Sequence, residues 1–131
     1  MSIKVLHESK NLLLQSEFEE TFLTDKNNGN EVFRFSVYGD ATCGLIAASE
    51  DWAIICGNTL WIWTKDELTE IKELCWIYDI RQISEYEVEI LTDPWRQDSA
   101  IWKYDITKAN FFKVLDFTHY LETAYTESVI W

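Results

Sequence analysis

Residues 31–38 read EVFRFSVY, polar and apolar side chains in strict turn. A period of two puts Val32, Arg34, Ser36 and Tyr38 on one face of an extended strand and Phe33, Phe35 and Val37 on the other, and no helix sorts them that way. The run follows DKNNGNE at 25–31, whose Asn and Gly readily take the positive φ of a tight turn, and EETFLT at 19–24 alternates likewise on the far side. These three pieces specify a β-hairpin. The same reading finds strands at CGLIAAS, WAIIC, TLWIW, CWIYDI, YEVEILT, AIWKYDI and FFKVLDF, rich in residues that suit a pleated, half-buried surface. A Gly-Asn pair at 57–58 supplies a second tight turn, between WAIIC and TLWIW. One segment has two readings. TKDELTEIKELC places Leu68, Ile71, Leu74 and Cys75 at helical spacing behind a Thr64/Glu67 capping box, so a short helix at 65–75 competes with a strand at 69–74. The strand is favoured because the corresponding FFKVLDF alternates.

That correspondence belongs to a weak internal repeat of about 41–43 residues. AASEDW at 47–52 aligns with ILTDPW at 90–95, and TLWIWTKD at 59–66 with AIWKYDIT at 100–107; Leu74 and Trp76 then fall on Leu115 and Phe117. The N-terminal hairpin is a third, poorer copy. The spacing matches a propeller blade, but three units are too few for the usual closed propeller. The expectation is a single all-β domain over residues 1–131, with at most one or two short helices: an antiparallel meander of hairpins forming a sandwich or curled sheet. Trp52 and Trp95, and Trp61 and Trp102, hold matching places, which assigns all four to the core. The WIW and CWIY runs alternate faces and are expected to leave at least one large ring each at the surface, where Trp and Tyr anchor interfaces.

Charge narrows the partners. There are 23 Asp and Glu against 11 Lys and Arg, a net −12. Such a field repels phosphate backbones and anionic lipid, so neither direct nucleic-acid binding nor membrane binding is expected. A basic protein is the natural complement, since opposite potentials steer encounter. An aromatic fraction of 15% argues for a well-formed core in spite of the charge. MSIKVLHESKNLLLQ lacks the pattern of a signal peptide, and Cys43, Cys56 and Cys75 lack CxxC spacing, so buried reduced thiols and a cytoplasmic location are expected.

Nothing in the chain spells out a reaction. His7 and His119 stand far apart without metal-ligand spacing, and no GxSxG, GxGxxG or phosphate-cradling loop occurs. Nothing beside Cys43 would lower its pKa. Acid pairs such as Glu50–Asp51 and Asp93–Asp98 are too common here to single out a glycosidase, and Asp93-Pro94 is a turn signal. No catalytic residue, cofactor or metal is therefore expected. The informative acids are Glu85, Glu87 and Glu89 in EYEVEIL. With Tyr86, Val88 and Ile90 facing the core, three carboxylates emerge on the other face about 7 Å apart. They form either a solvated face with cross-strand Lys partners or an acidic stripe that docks on a basic surface, with Asp93 and Asp98 nearby.

In size, acidity, aromatic richness and absence of catalytic motifs the chain resembles bacterial immunity proteins, the cytosolic inhibitors that protect a cell from polymorphic or contact-delivered toxins. The resemblance involves no signature residues. It implies tight binding to a basic toxin domain, often a nuclease, by blocking its active site or substrate surface. The expected function is an acidic, non-enzymatic inhibitor. The rival is a carbohydrate-binding module whose Trp and Tyr rings stack on sugars; a small hydrolase using a carboxylate pair has no positive support.

Overall fold

The structure is a computed structural model that describes residues 3–36, 41–65, 67–126 and 128–131. Among the described residues, twelve strands form three four-stranded antiparallel sheets, and there is no helix. Each sheet is a meander in sequence order: β1 (Lys4–Glu8) to β4 (Glu31–Ser36), β5 (Cys43–Ile46) to β8 (Glu67–Cys75), and β9 (Ile77–Ser84) to β12 (Asn110–Asp116). The chain falls into two compact units, Met1–Cys75 with the first two sheets and Trp76–Trp131 with the third.

In the first unit, the two sheets share one core. Leu12 and Leu14 of β2 (Leu12–Glu17) and Leu23 of β3 (Glu20–Asp25) meet Ala53 and Ile55 of β6 (Trp52–Cys56) and Trp63 of β7 (Thr59–Thr64). Phe33 and Phe35 turn inward, as their alternation requires, and make tilted ring contacts with Trp63 and Trp61 at centroid distances of 5.9 and 4.8 Å. The expected hairpin joins β3 and β4, and Gly29 in its turn has φ 76°. Val37 and Tyr38, expected to continue β4, lie outside the described residues. Both rings of WIW face the core, against the expectation of an exposed one, because Trp61 and Trp63 are two residues apart and so share a face. Polar links tie β1 to β5 and to the residues before it: His7 Nδ1 accepts the Ile46 N–H at 2.7 Å, and Lys4 Nζ donates to the Ala41 carbonyl at 2.7 Å. The Glu50 carboxylate accepts from Ser9 Oγ and from the Asn11 N–H (2.9 Å) and Nδ2 (2.8 Å), joining two turns and holding its own pKa below the usual range. Residues 67–75 are strand, so Thr64 and Glu67 face each other across a hairpin and not across a helix turn.

The second unit packs Leu91, Ile101 and Phe117 under Tyr78, Tyr120, Val129 and Trp131, so the segment after β12 covers part of one face of the third sheet. The repeat has a definite structural content: β7 and β11 (Ala100–Asp105) start 41 residues apart, at Thr59 and Ala100, and β8 and β12 start 43 apart, at Glu67 and Asn110. Trp61 and Trp102 are both third residues of third strands. Trp52 and Trp95 are not equivalent. Trp52 opens β6, whereas Trp95 follows β10 (Glu87–Thr92) in a long turn that replaces the tight Gly-Asn turn of the second sheet. Leu74 and Leu115 match in position but not in burial, at 2% and 46% exposed.

Candidate partner-binding surfaces

The third sheet carries the glutamate stripe. Glu87 and Glu89 point away from Val88 and Ile90, which are fully buried, as alternation demands. Glu85 and Tyr86 do not extend the strand; they form the two-residue turn between β9 and β10, so the three carboxylates are not one aligned row and Tyr86 is not a core residue of the strand. Cross-strand cations answer the two that are aligned. Glu89 is in register with Arg81 on one side and Lys103 on the other, and it bonds Arg81 at 2.8 Å. Glu87 bonds Lys103 at 2.9 Å and accepts from Ser84 Oγ at 2.9 Å; the lysine, then the serine, hold its pKa down. Arg81 also lies over the Trp131 ring, 4.0 Å from its centroid, and donates to the Trp131 backbone oxygen.

Asp93 and Asp98 occupy the turn at the other end of β10. Six residues at about 3.3 Å each set them roughly 20 Å from the Glu85 turn, so the five acids form two groups. Asp93 Oδ1 accepts the Trp95 N–H at 3.0 Å, a turn-building role. Asp98 is exposed and bonded to Arg96 at 2.9 Å, which lowers its pKa. Arg96 in turn sits 4.9 Å from the ring of Trp76. All seven tryptophans lie among the described residues, and Trp76, 56% exposed in the CWIY run, is the one that faces solvent. The others are buried or half-buried. Trp95 is enclosed by Tyr78, Tyr120 and Tyr125 at 5.7, 5.9 and 5.0 Å, so DPW builds an aromatic cluster and not a flat platform.

Among the thiols, Cys56 is buried, Cys43 half-buried and Cys75 exposed; the expectation of three buried thiols fails at Cys75 because Leu74 takes the inward position of β8. Burial lowers the His7 pKa, in keeping with its acceptor role. His119 is exposed beside the Phe117 ring at 4.9 Å. No group of three or more His, Cys, Asp or Glu among the described residues could hold a metal ion.

A second surface escaped the sequence reading. Register places Val5, Gln15, Phe22 and Arg34 in one row on the face of the first sheet that points away from the core. Val5 is 55% exposed, and Ile3, two residues ahead of it, 51%. Phe22 is covered by the Arg34 guanidinium, 4.3 Å from its centroid, and Arg34 is engaged by Glu31 and, at 3.7 Å, by Glu20. The β2–β3 hairpin closes through Phe18 and Glu19. Phe18 has φ 56° and is 62% exposed. Glycine is favoured at that first loop position, and the left-handed region costs a residue with a side chain about 1–2 kcal/mol. The sequence signal was an aromatic residue inside EFEE, where neither strand's alternation accounts for it.

Fold and surfaces together define an all-β protein built of three antiparallel meanders, with carboxylates and isolated apolar side chains on its exposed faces. No protein-family model matches the chain, and no curated protein matches it. No helix among the described residues is long and apolar enough to cross a membrane.

Proposed function

We propose that this protein is an acidic, non-enzymatic binding protein of the cytoplasm that inhibits a basic toxin domain, in the manner of an immunity protein. The observation that carries the reading is the net charge of −12 combined with exposed apolar side chains that have carboxylates as neighbours. An acidic field accelerates encounter with a basic surface, and apolar anchors supply the lifetime of the complex. Glu85, Glu87, Glu89, Asp93 and Asp98 contribute to encounter at long range. The pairs with Arg81, Lys103 and Arg96 moderate their field without abolishing it. Aromatic rings are mostly engaged with one another, which favours a protein partner over sugar stacking.

Affinity capture from the native host, followed by mass spectrometry, tests the reading. A basic protein should be recovered and released by salt, and expression of that protein alone should arrest growth that co-expression of this chain restores. Recovery of no basic partner, or a partner whose toxicity persists on co-expression, overturns it.

A further inference from the structure

We infer that the outward face of the first sheet, with Phe18 at its hairpin tip, is the docking surface for the basic partner; this rests on the reading above. Four features converge there. Ile3, Val5 and Phe18 are each more than half exposed, and the opposite face of this small sheet packs into the core. Phe18 keeps a left-handed backbone with its ring in solvent, where glycine would serve the turn. A ring at a hairpin tip fits a concave apolar site on a partner. The surrounding charge selects the partner's sign: Glu17, Glu19 and Glu20 flank Phe18 in sequence, and Arg34 on that face is engaged by Glu31 and Glu20. An apolar anchor between neighbouring carboxylates matches an apolar pocket rimmed by Lys and Arg.

The exposed apolar residues of β12 make a weaker case. Phe112 and Leu115 lie on an edge strand that carries the Lys113–Asp116 ion pair (3.0 Å), the kind of charged decoration that discourages strand pairing.

The test is Phe18→Gly. The substitution removes the ring and gives the turn its preferred residue, so denaturation should show stability equal to or above that of the wild type. Binding to the basic protein that co-purifies with the wild-type chain, expressed separately and measured by calorimetry, should weaken at least tenfold. Amide exchange on adding that protein should slow at 3–5 and 17–22. Wild-type affinity for the Phe18→Gly chain, or protection confined to 85–98, overturns the surface while leaving the inhibitor reading intact. Sedimentation that reveals a dimer of this chain dissociated by Phe18→Gly also overturns it, since the occupant would be a second copy. If no basic protein co-purifies, the inhibitor reading falls and takes this surface with it.

Discussion

Gly44→Ala tests how closely the first two sheets approach. Gly44 lies in β5, and a Cβ built there would stand 2.6 Å from Leu14 Cδ2, 3.0 Å from Leu6 Cβ and 3.4 Å from the Ile54 carbonyl oxygen. The first contact is the far end of a side chain, but Leu14 is fully buried, so its rotation displaces other core atoms. The second is a Cβ fixed to the backbone of the bulged β1 and cannot rotate away. Overpacking of this kind costs about 1–3 kcal/mol. For a unit of this size each kcal/mol lowers Tm by about 4–8 °C, so a loss of at least ~4 °C is expected. Tryptophan fluorescence is a suitable probe because Trp61 and Trp63 belong to the same core. Leu14→Ala alone should cost about 2–5 kcal/mol. In that background, space exists for the new methyl group, and the Gly44→Ala penalty should shrink by ~1 kcal/mol. A Gly44→Ala chain as stable as wild type, or two penalties that simply add, would refute the approach of β5 to β2.

His7 accepts a hydrogen bond at Nδ1 and burial lowers its pKa, so between that lowered pKa and the unfolded value of about 6.5 the unfolded chain binds the extra proton. The His7 contribution to stability is therefore complete above pH ~6.5 and falls as the pH drops below it; denaturant midpoints at pH 7.5 and 5.5 should differ, and His7→Asn, which keeps an acceptor without a titrating group, should reduce the difference. A slope unchanged in His7→Asn would rule His7 out as its source. Replacing Glu85, Glu87 and Glu89 together by Gln should cost little stability, since exposed ion pairs are worth about 0–1 kcal/mol each, but should slow association with the partner several-fold at low salt and less at high salt. An unchanged low-salt rate would reduce the stripe to a solvated face. Thiol labelling should modify Cys75 in the native state and Cys56 only after unfolding; prompt native labelling of Cys56 would contradict its burial.

Most of the fold was legible because strands that face core on one side and solvent on the other alternate in sequence, as β4 and the first four residues of β10 do. What escaped was strand that breaks this rule. LLLQSE of β2 has Leu13 half-buried on the outward face between Leu12 and Leu14 on the inward one, so its composition hides its period. CWIYDI has the composition of one strand but is broken at Trp76, whose φ is 58°, between the end of β8 and the start of a new sheet. The Trp52–Trp95 pairing went astray for a related reason. Two tryptophans after acidic residues look alike in sequence, yet one begins a strand and the other sits in a turn, and alignment of residues carries no information on where the ladder stops.

The acidic stripe marks a deeper limit. Alternation along β10 correctly assigned Glu87 and Glu89 to one face, but the charge of a face depends on the neighbouring strands. A regular ladder running from the Glu85–Tyr86 turn, where Glu87 meets Ser84, would set Glu89 opposite Gln82. The register shifts by one between Glu87 and Val88, leaving Ile83 unpaired and 42% exposed, and Arg81 arrives opposite Glu89 instead. On the other side, regular pairing with β11 brings Lys103 to the same row. A single bulge thus decides whether Glu89 faces an amide or a guanidinium. No residue in RQISEYEVE announces the bulge, since it is a compromise between the turn, the twist and the burial of Ile80 and Val88 on the opposite face. Periodicity in one strand can nominate a charged face; the sign and strength of its field are properties of the register.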